Sequence, residues 1–262
     1  MRTHQVYDLP TRLFHWLFAA FFVFAFVVAK NVDDESPVFT WHMLAGMGLS
    51  FMVVLRILWG LVGTRYARFA GFDLNPAHLI VYLKGILTGD KTTWTGHNPA
   101  SSWAALVMLV LALCLGLTGY LMTSGSDKET YEDIHELLAN AFLLTVLLHI
   151  GGVMFHAVRH RDQIFFAMVD GKKASGDSVE VISDTRHFVG VGFVVAVVGF
   201  MTLLAGSYDV QTGKLSLVGQ TLQLGDSIAD EGDENGADGN EAIENDNDDD
   251  DGRHEEGKDD DN

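Results

Sequence analysis

Cysteine is nearly missing: the 262 residues include one, Cys114. A lone thiol closes no intramolecular disulfide, and Cys114 lies inside an apolar run, where a small buried side chain belongs. No Cys-x-x-Cys-His string is present to attach haem covalently, and no cysteine cluster to hold iron–sulfur. Proline is scarce too, at 4 residues, so long helices run with few interruptions. Positive charge is short: 17 Lys/Arg face 35 Asp/Glu, a net −18, which makes nucleic acid a poor partner. Gly190-Val-Gly192 lacks the third glycine of a dinucleotide fingerprint and opens an apolar run with no preceding strand pattern. The chain contains no internal repeat. In the acidic C-terminal part no EF-hand register fits, because the alternating acids from Asp246 to Asp250 lack glycine at the sixth place.

What is present is apolar and unevenly placed. Hydrophobic residues make up 48% of the chain, concentrated in long runs before residue 207. Residues 207–262 hold only 3 of the Lys/Arg but 19 of the Asp/Glu. This is the distribution of a membrane protein carrying a separate acidic tail. A helix needs about 20 residues to cross the hydrocarbon core, and five runs qualify, near 13–30, 41–62, 102–123, 135–157 and 187–207. The expected fold is therefore all-α and integral to the membrane. A four-helix transmembrane bundle over 1–173 is followed by a fifth transmembrane helix at 187–207 and an acidic, mostly disordered tail at 208–262. The first run is too long for a signal-peptide core and carries His15, so it is expected to be retained. Pro10 suits its first turn, with Asp8 or Thr11 as cap. Pro76 to Lys84, and again Arg161 to Val169, read as short helices lying on the membrane surface.

Lys and Arg set the orientation. With the N-terminus cytoplasmic, the inner side collects Arg2, Arg12, Arg56, Arg65, Arg68, Lys84, Lys91, Arg159, Arg161, Lys172, Lys173 and Arg186. The outer loops keep only Lys30 and Lys128, which is a strong positive-inside signal. Five spans then put the tail on the periplasmic side of a cell inner membrane.

Several of the 11 histidines lie within the spans, where ionisable groups are costly and mark function. His135, His149 and His156 share one helix face, since steps of 14 and 7 residues return to within roughly 40° and 20° of the same direction. His135 and His149 lie about 21 Å apart along the axis at 1.5 Å per residue. His15 sits near the inner end of the first span, about 22 Å below Lys30 by the same rise, and His42 sits at the outer end of the second. Two levels with two histidines each are what two bis-histidine haems need: His42 with His135, and His15 with His149. A divalent-metal or proton pathway, or plain helix–helix hydrogen bonds, would also use intramembrane histidines. Met43, Met122 and Met154 could serve as axial thioethers, but methionine at helical spacing is ordinarily core filling.

A set of ordered motifs narrows this choice. Asp8-Leu-Pro-Thr-Arg-Leu-Phe-His15-Trp16, Trp41-His42-x-x-x-Gly46, Arg65-Tyr-Ala-Arg-Phe69, Gly96-His-Asn-Pro-Ala100 and His135-Glu-x-x-Ala-Asn140, with His149 fourteen residues after His135, occur in that order. Together they resemble the prokaryotic cytochrome b561 family, related to the cytochrome b subunits of membrane-bound hydrogenases and formate dehydrogenases. The resemblance covers roughly residues 4–173. It implies a four-helix core holding two haem b groups, with His15, His42, His135 and His149 as the iron's axial ligands. The fifth span and the acidic tail inherit no role from it.

Around those ligands, Arg12, one turn before His15, could serve a propionate of the inner haem, as could Arg56 or Arg68; ordinary inner-surface charge explains Arg12 equally well and the other two better. His97 and Asn98 resemble a loop beside the quinone site of the related subunits, and His156 is a candidate for proton delivery. A helix cap explains Asn98 equally well. The expected function is transmembrane electron transfer between a quinone pool and a periplasmic c-type cytochrome or dehydrogenase, as part of a respiratory chain. An alternative is a membrane anchor for a periplasmic dehydrogenase or hydrogenase. An alternative of another class is a histidine-based ion or metal transporter, against which stands the lack of intramembrane carboxylates and of a two-fold repeat.

Overall fold

The computed structural model describes residues 2–88, 98–124, 128–160, 166–175, 185–217 and 219–225. Helix α1 spans Leu9–Asn31. Its start is fixed by Asp8, whose side chain accepts the Thr11 backbone N–H, and by Pro10 in the first turn. A 3₁₀ turn at Pro37–Phe39 leads into α2, Thr40–Val62. Then come α3 (Pro76–Thr88), α4 (Pro99–Thr123), α5 (Lys128–His160), the one-turn α6 (Ala167–Asp170) and α7 (His187–Ser207). Five of these, α1, α2, α4, α5 and α7, are long and apolar enough to cross a membrane. They coincide with the five expected runs. The largest difference is at α5, which starts at Lys128 rather than near 135. Lys128, Glu129, Glu132 and Asp133 continue the helix as polar turns, which hydropathy does not register.

Helix α2 is the hub, packing on α1, α4 and α7, while α4 packs along α5. The outward faces carry exposed Val23, Phe24, Val27, Leu144, Leu147, Leu148, Val195 and Val198, as suits a lipid surface. Among the described residues, α5 comes backbone-close to α4 but reaches α1 and α2 across a wider gap, through side chains. Phe142, only 2% exposed, bridges that gap. It packs with Val53 of α2 and Ala112 of α4, and against the rings of Phe18 and Phe22 of α1, at 6.1 and 4.8 Å between centroids. It stands seven residues from both His135 and His149, on their face.

Two small sheets close the ends. Strand β1 (Arg2–Gln5) pairs antiparallel with β2 (Lys172–Ser175), from Arg2 opposite Ser175 to Gln5 opposite Lys172. The pairing is continued by Val6 and Tyr7 N–H groups donating to Gly171 O at 2.9 and 3.0 Å. Gly171 has φ +78°, and a Cβ there would collide with Gln5, Tyr7 and Arg12, so only glycine serves. Beyond α7, β3 (Tyr208–Asp209), β4 (Lys214–Leu217) and β5 (Gln220–Gln223) form an antiparallel meander. Leu215 and Leu224 are buried against Leu44 of α2 and Leu204 of α7. Tyr208 and Thr40 hydroxyls lie 3.2 Å apart. The segment expected as a tail from 208 thus opens with an ordered sheet, because residues 208–225 hold one acid, Asp209, and enough leucine to pack. The acidic run from Asp226 onward lies outside the described residues, as does the first half of the expected surface helix after α5.

Candidate functional site

Helix periodicity and packing bring the four intramembrane histidines together in two pairs. The rings of His42 and His135 lie 6.2 Å apart, centroid to centroid. Two imidazoles that share a metal through one nitrogen each, with bonds of about 2 Å, have ring centres roughly 6 Å apart. The remaining ring nitrogens are already committed. His42 Nδ1 lies 2.9 Å from the Ala25 carbonyl. A carbonyl has no proton, so Nδ1 donates and Nε2 keeps its lone pair. His135 Nδ1 lies 2.8 Å from Thr118 Oγ1. That hydroxyl spends its own proton on the backbone carbonyls of Cys114 and Leu115, at 3.0 and 3.1 Å. It therefore accepts from His135 and again leaves Nε2 as the free donor atom. Both tautomers are set for metal ligation, each with an outer hydrogen bond orienting the ring.

Space matches the donors. Gly46, one turn after His42 on the same face of α2, has nothing within 4 Å of where a Cβ would stand. Gly119 on α4 places a Cβ position 3.8 Å from the His135 ring. Among the described residues no three His, Cys, Asp or Glu side chains gather at one point. Each level thus offers two protein ligands, which suits a planar group that brings four nitrogens of its own. The residues present fit haem b.

At the other level, His15 and His149 are both half-buried, on α1 and α5. The His15 ring meets Trp16 edge-on at 5.2 Å, and its Nδ1 is buried without a partner among the described residues. The depth between levels differs from the expectation. His42 reaches the Ala25 carbonyl, ten residues above His15 and not fifteen, so on α1 the levels are separated by about 15 Å at 1.5 Å per residue. The longer interval along α5 reflects side chains leaning toward each helix's N-terminus and helices that are not parallel.

The supporting residues fare differently. Arg12 is half-buried, with Nε unpartnered among the described residues. Arg56, expected as surface charge, is instead only 8% exposed, its guanidinium 5.1 Å above the Phe69 ring. Its burial was not legible in the sequence, because the residues packed around this end of α2 come from distant segments: Phe69 lies beyond the helix, and Asp8, which Trp59 and Thr64 bond, precedes α1. Asp8 is 1% exposed and accepts from Thr11 N at 2.9 Å, Trp59 Nε1 at 3.1 Å and Thr64 Oγ1 at 2.6 Å. Asn98 caps α4, accepting from Ser101 N at 2.7 Å and donating to Tyr82 Oη at 3.1 Å. Burial pushes the Tyr82 phenol upward, with nearby Arg159 opposing. The helix-cap explanation therefore accounts for Asn98. His156 is half-buried two turns beyond His149. His97 lies outside the described residues.

Residues 6–171 match the sequence profile of Prokaryotic cytochrome b561. The chain belongs to that family. Membership makes it a multi-pass membrane cytochrome of b type and carries the implication of haem b. Curated relatives are similar at low identity. The "Probable Ni/Fe-hydrogenase 1 B-type cytochrome subunit" of Escherichia coli (strain K12) is 24% identical over 145 residues, which is 47% of this chain and 61% of the relative. A "Probable Ni/Fe-hydrogenase B-type cytochrome subunit" of Rhizobium leguminosarum bv. viciae is 22% identical over 214 residues, 66% of this chain and 89% of the relative. The Azotobacter vinelandii protein of the same description is 26% identical over 153 residues, 49% and 63% respectively. The cytochrome thus spans less than two thirds of two of these three relatives. No solved structure matches it significantly.

Proposed function

We propose that the protein carries electrons across a cell inner membrane through two haem b groups, one held by His42 and His135, the other by His15 and His149. The observation that carries this reading is the 6.2 Å approach of His42 to His135 with both Nδ1 atoms committed. When bound, haem supplies reversible one-electron chemistry. The chain's own part is to fix the rings, exclude water and hold the groups apart. Phe142 and its aromatic neighbours fill the interval between the levels. The positive-inside pattern of Lys and Arg supports an orientation with His15 and His149 toward the cytoplasm and the meander toward the periplasm.

Electrons would pass between membrane quinone at the inner side, with His156 a candidate for proton delivery and His97 and Asn98 candidates for the quinone by resemblance, and a periplasmic redox partner. Arg12 would face a propionate. A second version of the reading, an anchor that takes electrons from a periplasmic hydrogenase or dehydrogenase, is favoured by the names of the relatives. Co-purification of such a partner would select it. A histidine-based transporter is disfavoured because each level holds two histidines and no third ligand among the described residues.

The test is a pyridine haemochrome assay on the purified full chain, joined to single His→Ala variants. Two haems per chain are expected. His42→Ala and His135→Ala should each remove one, His15→Ala and His149→Ala the other, and His156→Ala neither. One haem per chain, or His156→Ala costing a haem that His149→Ala keeps, would defeat the assignment.

A further inference from the structure

Buried polar atoms are normally satisfied, and unsatisfied ones ask for an explanation. Thr11 Oγ1, Arg12 Nε and Arg56 Nη1 are buried without hydrogen-bond partners among the described residues. Thr11 and Arg56 are both more than nine-tenths buried; the Thr11 N–H donates to Asp8, and Trp59, three residues beyond Arg56 on α2, donates to the same carboxylate. Three donors already occupy most of the four lone-pair positions of the Asp8 carboxylate. Asp8 is thus largely satisfied without Arg56, whose buried, unpartnered Nη1 is left for a second carboxylate.

Depth says which anion this is. Trp59 bonds Asp8, and α1 and α2 run antiparallel, so Arg56 falls between the depths of Asp8 and His15. Counting fourteen residues from His42 gives the same place, about 6 Å on the near side of His15 at 1.5 Å per residue, and within roughly 40° of the His42 face. A lipid phosphate would approach from outside the bundle, where Arg56 offers almost no surface. A carboxylate hanging from a group held by His15 and His149 would approach from within.

We propose that Arg56 and Thr11, at the depth between Asp8 and His15, form the subsite for a carboxylate of the haem at the His15–His149 level. This rests on the two-haem reading above. The full-length protein is purified as wild type, Arg56→Gln, Arg56→Lys and Thr11→Val. Haem content, both midpoint potentials and co-purifying phosphate are then measured, with His42→Ala identifying the inner-level haem. Arg56→Gln should move that haem to lower potential, because a lost positive charge favours ferric iron, and should leave the other haem unmoved. Arg56→Lys should restore most of the difference, and Thr11→Val should give a smaller shift of the same sign. If Arg56→Gln fails to accumulate, the Thr11→Val shift decides. Two haems with unmoved potentials in both Arg56→Gln and Thr11→Val would overturn the subsite. Loss of bound phosphate without a potential shift would assign the anion to lipid and overturn it too. A wild type with fewer than two haems would instead refute the reading beneath it.

Discussion

Thr118 is the side chain through which α4 acts on His135, and replacing it with valine isolates that action. The two side chains are nearly the same size, so the packing of a residue only 7% exposed changes little. What disappears is the acceptor 2.8 Å from His135 Nδ1. His135 is half-buried, and a buried donor left wholly unsatisfied costs about 1–3 kcal/mol, the upper limit for the loss here. Mutating an outer-shell partner of a ligating histidine lowers metal affinity about 10–100-fold, equivalent to about 1.4–2.7 kcal/mol. The two estimates agree in size. As the proposed haem ligand, His135 without its acceptor would also be less basic, which would disfavour ferric iron and raise that haem's potential. The assay is a redox titration of the purified protein, followed by transfer of haem to a competing apo-acceptor. Thr118→Val should show one haem with raised potential and faster loss, the other unchanged, and Thr118→Ser should behave as wild type. If Thr118→Val leaves both potentials and both transfer rates alone, the hydrogen bond does not orient a ligand, and the argument from tautomers fails.

Phe142→Ala should empty the space between the histidine levels. In water-soluble cores such truncations cost about 3–5 kcal/mol, so a lower thermal midpoint for the haem absorbance, with both haems still bound at low temperature, is the expected result. Deleting residues 226–262 should leave haem content and membrane insertion intact. Deleting from 208 should lower stability, since Leu215 and Leu224 are buried and each fully buried leucine contributes about 1.5–3 kcal/mol. Immunoblots of membrane fractions and haem spectra compare the two truncations. Burial pushes the Tyr7 phenol up to about 12. The folded state thus favours the protonated form, and its stability is intact below about pH 10 and declines between about 10 and 12. Phenolate absorbance compared between wild type and Tyr7→Phe reads that titration.

The parts of this architecture legible in sequence are those governed by short periods. Apolar runs of helical length announced all five spans, and the intervals among His135, His149 and His156 put them on one face before any coordinates. The α5 boundary was missed by seven residues because hydropathy marks where lipid begins, while a helix continues through Glu132 and Asp133 on its own hydrogen bonds. The meander was hidden by averaging: Lys214 to Leu224 carries modest alternation beside a strongly acidic stretch, and its core partners, Leu44 and Leu204, come from other elements. Arg56 was misjudged because an arginine near a helix end normally reaches water. Its burial depends on Asp8 and Phe69, which no local pattern links to it. The register between the histidine levels also needed the fold, since a side chain's reach adds to or subtracts from its residue number.

The clasp between β1 and β2 has a bearing on how the chain is made. Arg2–Gln5 emerges before α1, yet its only strand partner among the described residues, Lys172–Ser175, follows after four membrane-crossing helices. During synthesis the N-terminal strand therefore waits unpaired at the membrane surface while those helices insert. When the partner arrives, the Val6, Tyr7 and Gly171 bonds fasten the beginning of α1 to the segment beyond α5. The family match, at residues 6–171, lies just inside this seam. The seam ties the start of α1 to the segment beyond α5, closing the histidine-bearing helices into one loop of chain that leaves out α7 and the meander.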